Sequence, residues 1–250
     1  MTGQAAPLVE LERRGAVAVL TLNRPHALNA LDRALTDALD RAADRLESES
    51  GLKVAVTWGA GRAFCAGNDL KETAAFTPAE AEAASSGQAT LLERWAALPV
   101  ITVAAAHGFA LGGGLMLAAA HDLRVAAEGT RLGLPEITMG WPPAYGVHRL
   151  IRLLGEARAR ELILTGAQVD ADEALRIGLV NRVVLPERLL QAALAWSDEL
   201  ARLPQRGIKE TKRLLAEIGG PGRGGEPAAL ARCLAGAEAQ ARLQSFLKGP

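Results

Sequence analysis

The stretch GFALGGGLMLA, residues 108–118, sets three consecutive glycines directly before an apolar run of helical length. A phosphate loop needs Gly-x-x-x-x-Gly-Lys-Ser/Thr, and no lysine follows this triple glycine. A dinucleotide fingerprint needs Gly-x-Gly-x-x-Gly, and GGGLML lacks the third glycine. What remains is a backbone turn into a helix, whose first amides have no intrahelical acceptor and carry the positive end of the helix dipole. Such amides can hold an oxyanion.

The segment leading into the glycines, PVITVAAAHG (99–108), is a short apolar run bounded by Pro and Gly, as is VAVTWG (54–59); both read as buried strands. AVAVLTLN (16–23) reads as a strand ending in the turn Asn-Arg-Pro. Leu31, Leu35, Leu39, Ala42 and Leu46 recur every three or four residues, so a surface helix follows, and a second helix is expected over 77–98. Strands alternating with helices at this spacing imply an α/β arrangement with parallel pairing. Beyond the strand at DLRVAA, the Gly and Pro content of TRLGLPEITMGWPPAYG (130–146) marks a long irregular connection, a common carrier of functional groups. From residue 147 the pattern is mostly helical, with a short strand at NRVV. GGPGRGGEP (219–227) reads as a linker before a last helix from about Ala228 to Leu247, free to pack against a neighbour.

Composition excludes several classes. Lys plus Arg and Asp plus Glu number 28 each, so no overall field draws the chain to nucleic acid or an anionic membrane. No spanning apolar run and no signal-peptide layout is present, and a cytoplasmic protein is expected. Cys65 and Cys233 stand far apart, and His26, His107, His121 and His148 form no HxxxH pair, so neither a disulfide framework nor a metal site is expected.

A second glycine-bearing stretch, AFCAGNDLKE (63–72), follows a strand and puts Gly67 where backbone could approach a ligand closely. If its amides faced those of the triple glycine, two donors would converge on one oxygen. In order and spacing, LNRPHALNAL, FCAGNDLKE, HGFALGGGLMLA, GLPEITMG and GEARARELILTGAQVDADEALRIGLVNRVV resemble the enoyl-CoA hydratase/isomerase, or crotonase, family over nearly the whole chain. The resemblance implies an α/β fold, a crotonase-like spiral of repeated ββα units with a C-terminal helical region. It divides the chain into a core (1–195) and a helical region (196–250) in the subunit interface of a homotrimer or homohexamer.

It also implies a site. The matching oxyanion-hole amides are those of Asn68 and Gly113, which would hold the thioester carbonyl oxygen of an acyl-CoA while an enolate forms. One such donor is worth roughly 3–4 kcal/mol. The side chains at these two positions are expected to matter less than the backbone. Arg24 and His26 would meet coenzyme phosphates, and the backbone near Ala27, Ala66, Asp69 and Leu70 would line the rest of the coenzyme. No cofactor is implied beyond coenzyme A as part of the substrate.

Hydratases of the family usually carry two glutamates sharing one water, one in Gly-Gly-Gly-x-Glu and one about twenty residues on. Here the first position is Met116 and the second is Glu136. Moving a double bond along an acyl chain needs only one group that takes a proton and returns it elsewhere, so a single carboxylate favours an enoyl-CoA isomerase with Glu136 as base and acid. Met116 and Trp141 are expected to shape the acyl pocket, and Tyr145 is given no catalytic role. Alternatives are a hydratase or hydratase-lyase working with Glu136 alone, and a binding or scaffold protein that has lost catalysis.

Overall fold

The computed structural model of the chain describes residues 6–218, 230–231 and 233–248. Its main sheet runs in the order β1 (Val9–Arg14), β2 (Val17–Leu22), β3 (Val54–Gly59), β4 (Ile101–Ala106), β6 (Leu123–Ala127) and β9 (Arg182–Val184). All neighbours pair in parallel except the β1–β2 hairpin, which turns at Gly15. A smaller sheet joins β5 (Phe109–Leu111), β7 (Arg131–Gly133) and β8 (Gln168–Val169). Isolated parallel bridges, Leu31 to Asn68 and Cys65 to Ala110, continue that smaller sheet.

One order therefore recurs along the chain: a main-sheet strand, a short piece of the second sheet, then a helix. β2 leads through Leu31 to α1 (Arg33–Ser48); β3 leads through Cys65 to α2 (Leu70–Thr73) and α3 (Pro78–Ala97). β4 leads through β5 to α4 (Gly113–Ala120), and β6 through β7 and a 3-10 turn (Pro135–Met139) to α5 (Val147–Thr165). This is the spiral of ββα units.

The parallel strands are apolar throughout because both faces are covered. Ala18, Leu20 and Leu22 join the core under α1, α3 and α4, while Val17, Val54, Val56, Val103 and Val125 pack against Leu189 and Ala193 of α7 (Leu189–Leu200) on the other face. The expected boundary between residues 195 and 196 thus falls inside α7, a helix that covers the sheet. After α6 (Ala171–Arg176) and α7 come α8 (Gln205–Ile218) and α9 (Ala237–Lys248). The linker expected at 219–227, and the start of the last helix at Ala228, lie outside the described residues. That last helix is not continuous, since a turn at Ala235–Gly236 precedes α9. Leu230, Ala231, Leu234, Ala239 and Leu243 are buried in the main core, so this region packs on its own body rather than away from it. Among the described residues, no helix is long and apolar enough to cross a membrane.

Local chemistry fixes the turn that feeds the site. Leu28 and Asn29 both adopt positive φ, 51° and 55°, which costs a non-glycine residue energy unless its surroundings compensate. Asn29 compensates with a fully buried side chain: Oδ1 accepts from Arg24 N at 2.8 Å, and Nδ2 donates to Ala60 O at 3.0 Å and Ala63 O at 2.8 Å. The turn after β2 is thereby tied to the loop after β3. Replacing Asn29 by Ala leaves those groups unpaired in the core. We expect a loss of about 3 kcal/mol and, for a chain of this size, a fall in Tm of roughly 6–10 °C in a calorimetric scan. A change under 2 °C would refute the assignment.

Candidate active site

Two glycine-bearing loops, from successive turns of the spiral, meet at van der Waals contact. A Cβ on Gly114 would run into the Cys65 carbonyl, and a Cβ on Gly67, whose φ is +100°, would stand 2.9 Å from Leu111 O and 3.5 Å from Gly113 N. Only glycine permits this approach. The hydrogen-bond register then decides where the amides point. Leu31 N donates to Gly67 O at 2.7 Å and Asp69 N to Leu31 O at 2.9 Å, so the Asn68 N–H between them faces the opposite side, toward the triple glycine. Gly112 N donates to Gly133 O at 2.9 Å, and Gly113 opens α4. Among the described residues, neither the Asn68 nor the Gly113 amide donates to any protein acceptor. Two orphan N–H groups at the mouth of a wholly buried helix N-terminus form a preorganised anion site.

Glu136 enters from the 3-10 turn Pro135–Met139. A Cβ on Gly112 would stand 2.8 Å from Glu136 Oε1 and 3.8 Å from Gly67 Cα, which puts the carboxyl beside both loops. Its Oε2 is buried with no hydrogen-bond partner among the described residues. Burial pushes its pKa up to about 7 against the opposing pull of its own backbone N–H, so the group titrates near neutrality. A cavity of about 560 Å³ opens onto it, lined by Asn68, Gly113, Met116, Trp141 and Tyr145 among others. Among the described residues that line it, Glu136 is the only carboxylate. Met116, 1% exposed, and Trp141, 6% exposed, supply apolar wall.

The expected coenzyme residues divide. Ala66 and Leu70 line the cavity mouth, whereas His26 is exposed outside the lining and Ala27 sits in the neighbouring 3-10 turn. Arg24, expected to meet a phosphate, is instead committed within the protein: Nη2 lies 2.7 Å from Asp69 Oδ2, Nε 3.1 Å from Asp32 Oδ2, and Nη1 donates to Ala30 O at 3.2 Å. Asp69 also caps α2 by accepting from Lys71 N and Glu72 N. Burial alone would raise the Asp69 pKa, but Arg24 and those two amides outweigh it and hold the carboxyl below its ordinary value. Arg24 and Asp69 thus form a strut beside Asn68.

The Asn68 side chain also departs from expectation. Its Oδ1 accepts a 2.6 Å hydrogen bond from the Tyr145 hydroxyl, so the side chain is engaged and not merely the backbone. Tyr145 is 2% exposed, and burial, with the nearby Cys65 and Glu136, holds its pKa well above the usual value. Phe246 of α9 and Leu230 join the cavity rim from the C-terminal region, which the sequence did not connect to the site. No group of three or more metal-ligating side chains gathers among the described residues.

Comparison with known proteins places the chain in a family. Residues 12–217 match the enoyl-CoA hydratase/isomerase family. A short-chain-enoyl-CoA hydratase of Clostridium acetobutylicum is 37% identical over 209 residues, covering 83% of this chain and 80% of the relative. The crystal structure of an enoyl-CoA hydratase/isomerase from Xanthobacter autotrophicus superposes with a TM-score of 0.86 at 30% identity, covering 97% of this chain and 93% of that one. An enoyl-CoA hydratase from Bacillus anthracis gives 0.82 at 33% identity and covers 96% of each chain. With the ββα spiral, two converging orphan amides and a buried carboxyl beside them, the chain belongs to the enoyl-CoA hydratase/isomerase family.

Proposed function

We propose that the chain is an enoyl-CoA isomerase that shifts a double bond from the 3- to the 2-position of an acyl-CoA, using Glu136 alone. The observation that supports this most is the solitary carboxyl: the one carboxylic acid among the described residues lining the cavity, its pKa pushed up to about 7, with an Oε2 that no described residue satisfies. The thioester carbonyl oxygen would sit between the Asn68 and Gly113 N–H groups. Glu136 takes a proton from the α carbon, and the electron pair moves onto the carbonyl oxygen as an enolate conjugated with the double bond. The same carboxyl returns the proton to the γ carbon, the pair falls back, and the 2-enoyl thioester leaves with no atom gained or lost. Met116 and Trp141 keep the enolate dry, which strengthens both amide contacts. Ala66 and Leu70 would line the path of the coenzyme arm.

Hydration is the second reading, favoured by relatives named hydratases, among them the Clostridium protein. It would require Glu136 both to activate a water and to supply the α proton. The two readings separate on purified protein. A 3-enoyl-CoA gaining conjugated absorbance supports isomerisation, and a 2-enoyl-CoA losing it without a 3-enoyl product supports hydration.

Glu136→Gln removes the base at nearly constant shape, so kcat should fall by roughly 10²–10⁴-fold with the circular dichroism spectrum unchanged. Full retained turnover would rule out the assignment. Because the base must be ionised in the free enzyme, kcat/KM should rise with pH along a limb centred at about 7 rather than near the ordinary 4.5. A flat profile between pH 6 and 8 would contradict it.

The same shift has a stability consequence. A carboxyl whose folded pKa is raised contributes fully below its unfolded value of about 4.5, and that contribution is lost as pH rises through about 7. Stability attributable to Glu136 should therefore fall by up to roughly 3 kcal/mol between pH 5 and 8. Glu136→Gln should abolish that part of the decline, as read from urea midpoints at the two pH values, and parallel curves for wild type and variant would disprove it.

A further inference from the structure

The hydrogen bond between Tyr145 and Asn68 joins two parts of the site that the ββα spiral itself does not connect. On one edge, residues 67–69 are held by Leu31 through Gly67 O and Asp69 N. On the other edge, nothing in the second sheet holds them, and the peptide carrying the Asn68 N–H follows Gly67, which has no Cβ to restrict its rotation. An amide meant to stabilise developing charge has to be aimed before the charge appears. The Asn68 side chain supplies the missing restraint, because its Oδ1 is held at 2.6 Å by a hydroxyl that arrives from residues 77 positions away.

Tyr145 is itself firmly placed. Ser85 Oγ of α3 donates to Ala144 O at 2.7 Å, and Gly146, at φ +79°, lets the chain turn directly over Met116, whose Sδ would stand 2.7 Å from a Cβ at that position. The Tyr145 hydroxyl and Asn68 Oδ1 both rest against the Cα of Gly113, the other member of the amide pair. A single buried hydroxyl thus touches both halves of the anion site.

We propose that Tyr145 is a positioning residue: through Asn68 Oδ1 it fixes the peptide that presents the Asn68 N–H opposite that of Gly113. The inference rests on the reading of those two amides as the carbonyl-binding pair, and it does not depend on whether the enolate goes on to isomerisation or hydration.

The test is the polarisation of a bound thioester carbonyl. Difference infrared spectra of butyryl-CoA labelled with ¹³C at the carbonyl are recorded with wild type, Tyr145→Phe, Asn68→Ala and the double variant. Tyr145→Phe keeps the ring in place, so the core stays filled. The wild type should shift the carbonyl band to lower frequency. Each single variant should lose at least half of that shift, and the double variant should lose no more than the larger single loss. In turnover, kcat should fall roughly tenfold in each single variant with KM nearly unchanged, as for a contact made in the transition state. A band unmoved by Tyr145→Phe, losses that add in the double variant, or no shift in the wild type overturns the proposal. A direct proton donor would give the first of these together with a kcat loss. Loss of polarisation in Tyr145→Phe alongside turnover indifferent to Glu136→Gln would leave the positioning role standing and remove the acid–base assignment.

Discussion

The contact on which the rest of the molecule turns is one of backbone against backbone: Gly112–Gly114 laid against residues 65–67. Neither strand of that contact has room for a Cβ, since Gly114 faces the Cys65 carbonyl and Gly67 faces the Leu111 carbonyl. Side chains at those positions would push consecutive turns of the spiral apart by the width of a methyl group. Both orphan amides would then lose their common target. The glycines are entropically costly in the unfolded chain. Under the proposed function their place in the structure answers the need for two N–H groups, from loops some 45 residues apart in sequence, to share one oxygen.

That geometry sits in an interior which neutralises nearly every other charge it contains. Lys212 meets Asp122 at 2.6 Å, Arg24 meets both Asp32 and Asp69, and Arg124 donates to the carbonyls of Leu179 and His121. Each of these three cations has partners that offset part of its desolvation. The Glu136 Oε2 is shielded from solvent and has no hydrogen-bond partner among the described residues. An unpaired carboxyl is unfavourable for folding, and that cost is what brings its pKa into the range where a proton can be taken and returned at neutral pH.

Where burial is two-sided, the sequence declares the fold. VAVTWG becomes β3 residue for residue, because a parallel strand covered on both faces is an uninterrupted apolar run. The hairpin partner β1, VELERR, is a polar edge strand with mostly exposed residues, and nothing in its composition separates it from a loop. Strands β5, β7 and β8 have two or three residues and exist only through pairing with distant chain, so no local period announces them. The site follows the same division. Met116 and Glu136 stand at readable spacing, and GGG before an apolar helix marks an anion site by its chemistry. Arg24 reads as an available cation on a turn, and its acidic partners Asp32 and Asp69 become its neighbours only through the fold. Tyr145 and Asn68 carry no local signal for each other at all.

The exchange of a carboxylate for Met116 changes the electrostatics of the cavity as well as its water content. With two acids close together, the shift that keeps one protonated would come in part from repulsion, and the titration would belong to the pair. Here the shift on Glu136 comes from burial, so among the described residues lining the cavity one carboxyl, with the Tyr145 hydroxyl bonded to Asn68, makes up the proton inventory. In the proposed isomerisation that carboxyl would pivot between two carbons of one flat, conjugated enolate held by the amides of Asn68 and Gly113. The Met116 thioether packs over Gly146 and gives the cavity an uncharged wall at that position. In the isomerisation proposed above, an uncharged wall at residue 116 and a single carboxyl would favour moving a proton within the substrate over adding water to it.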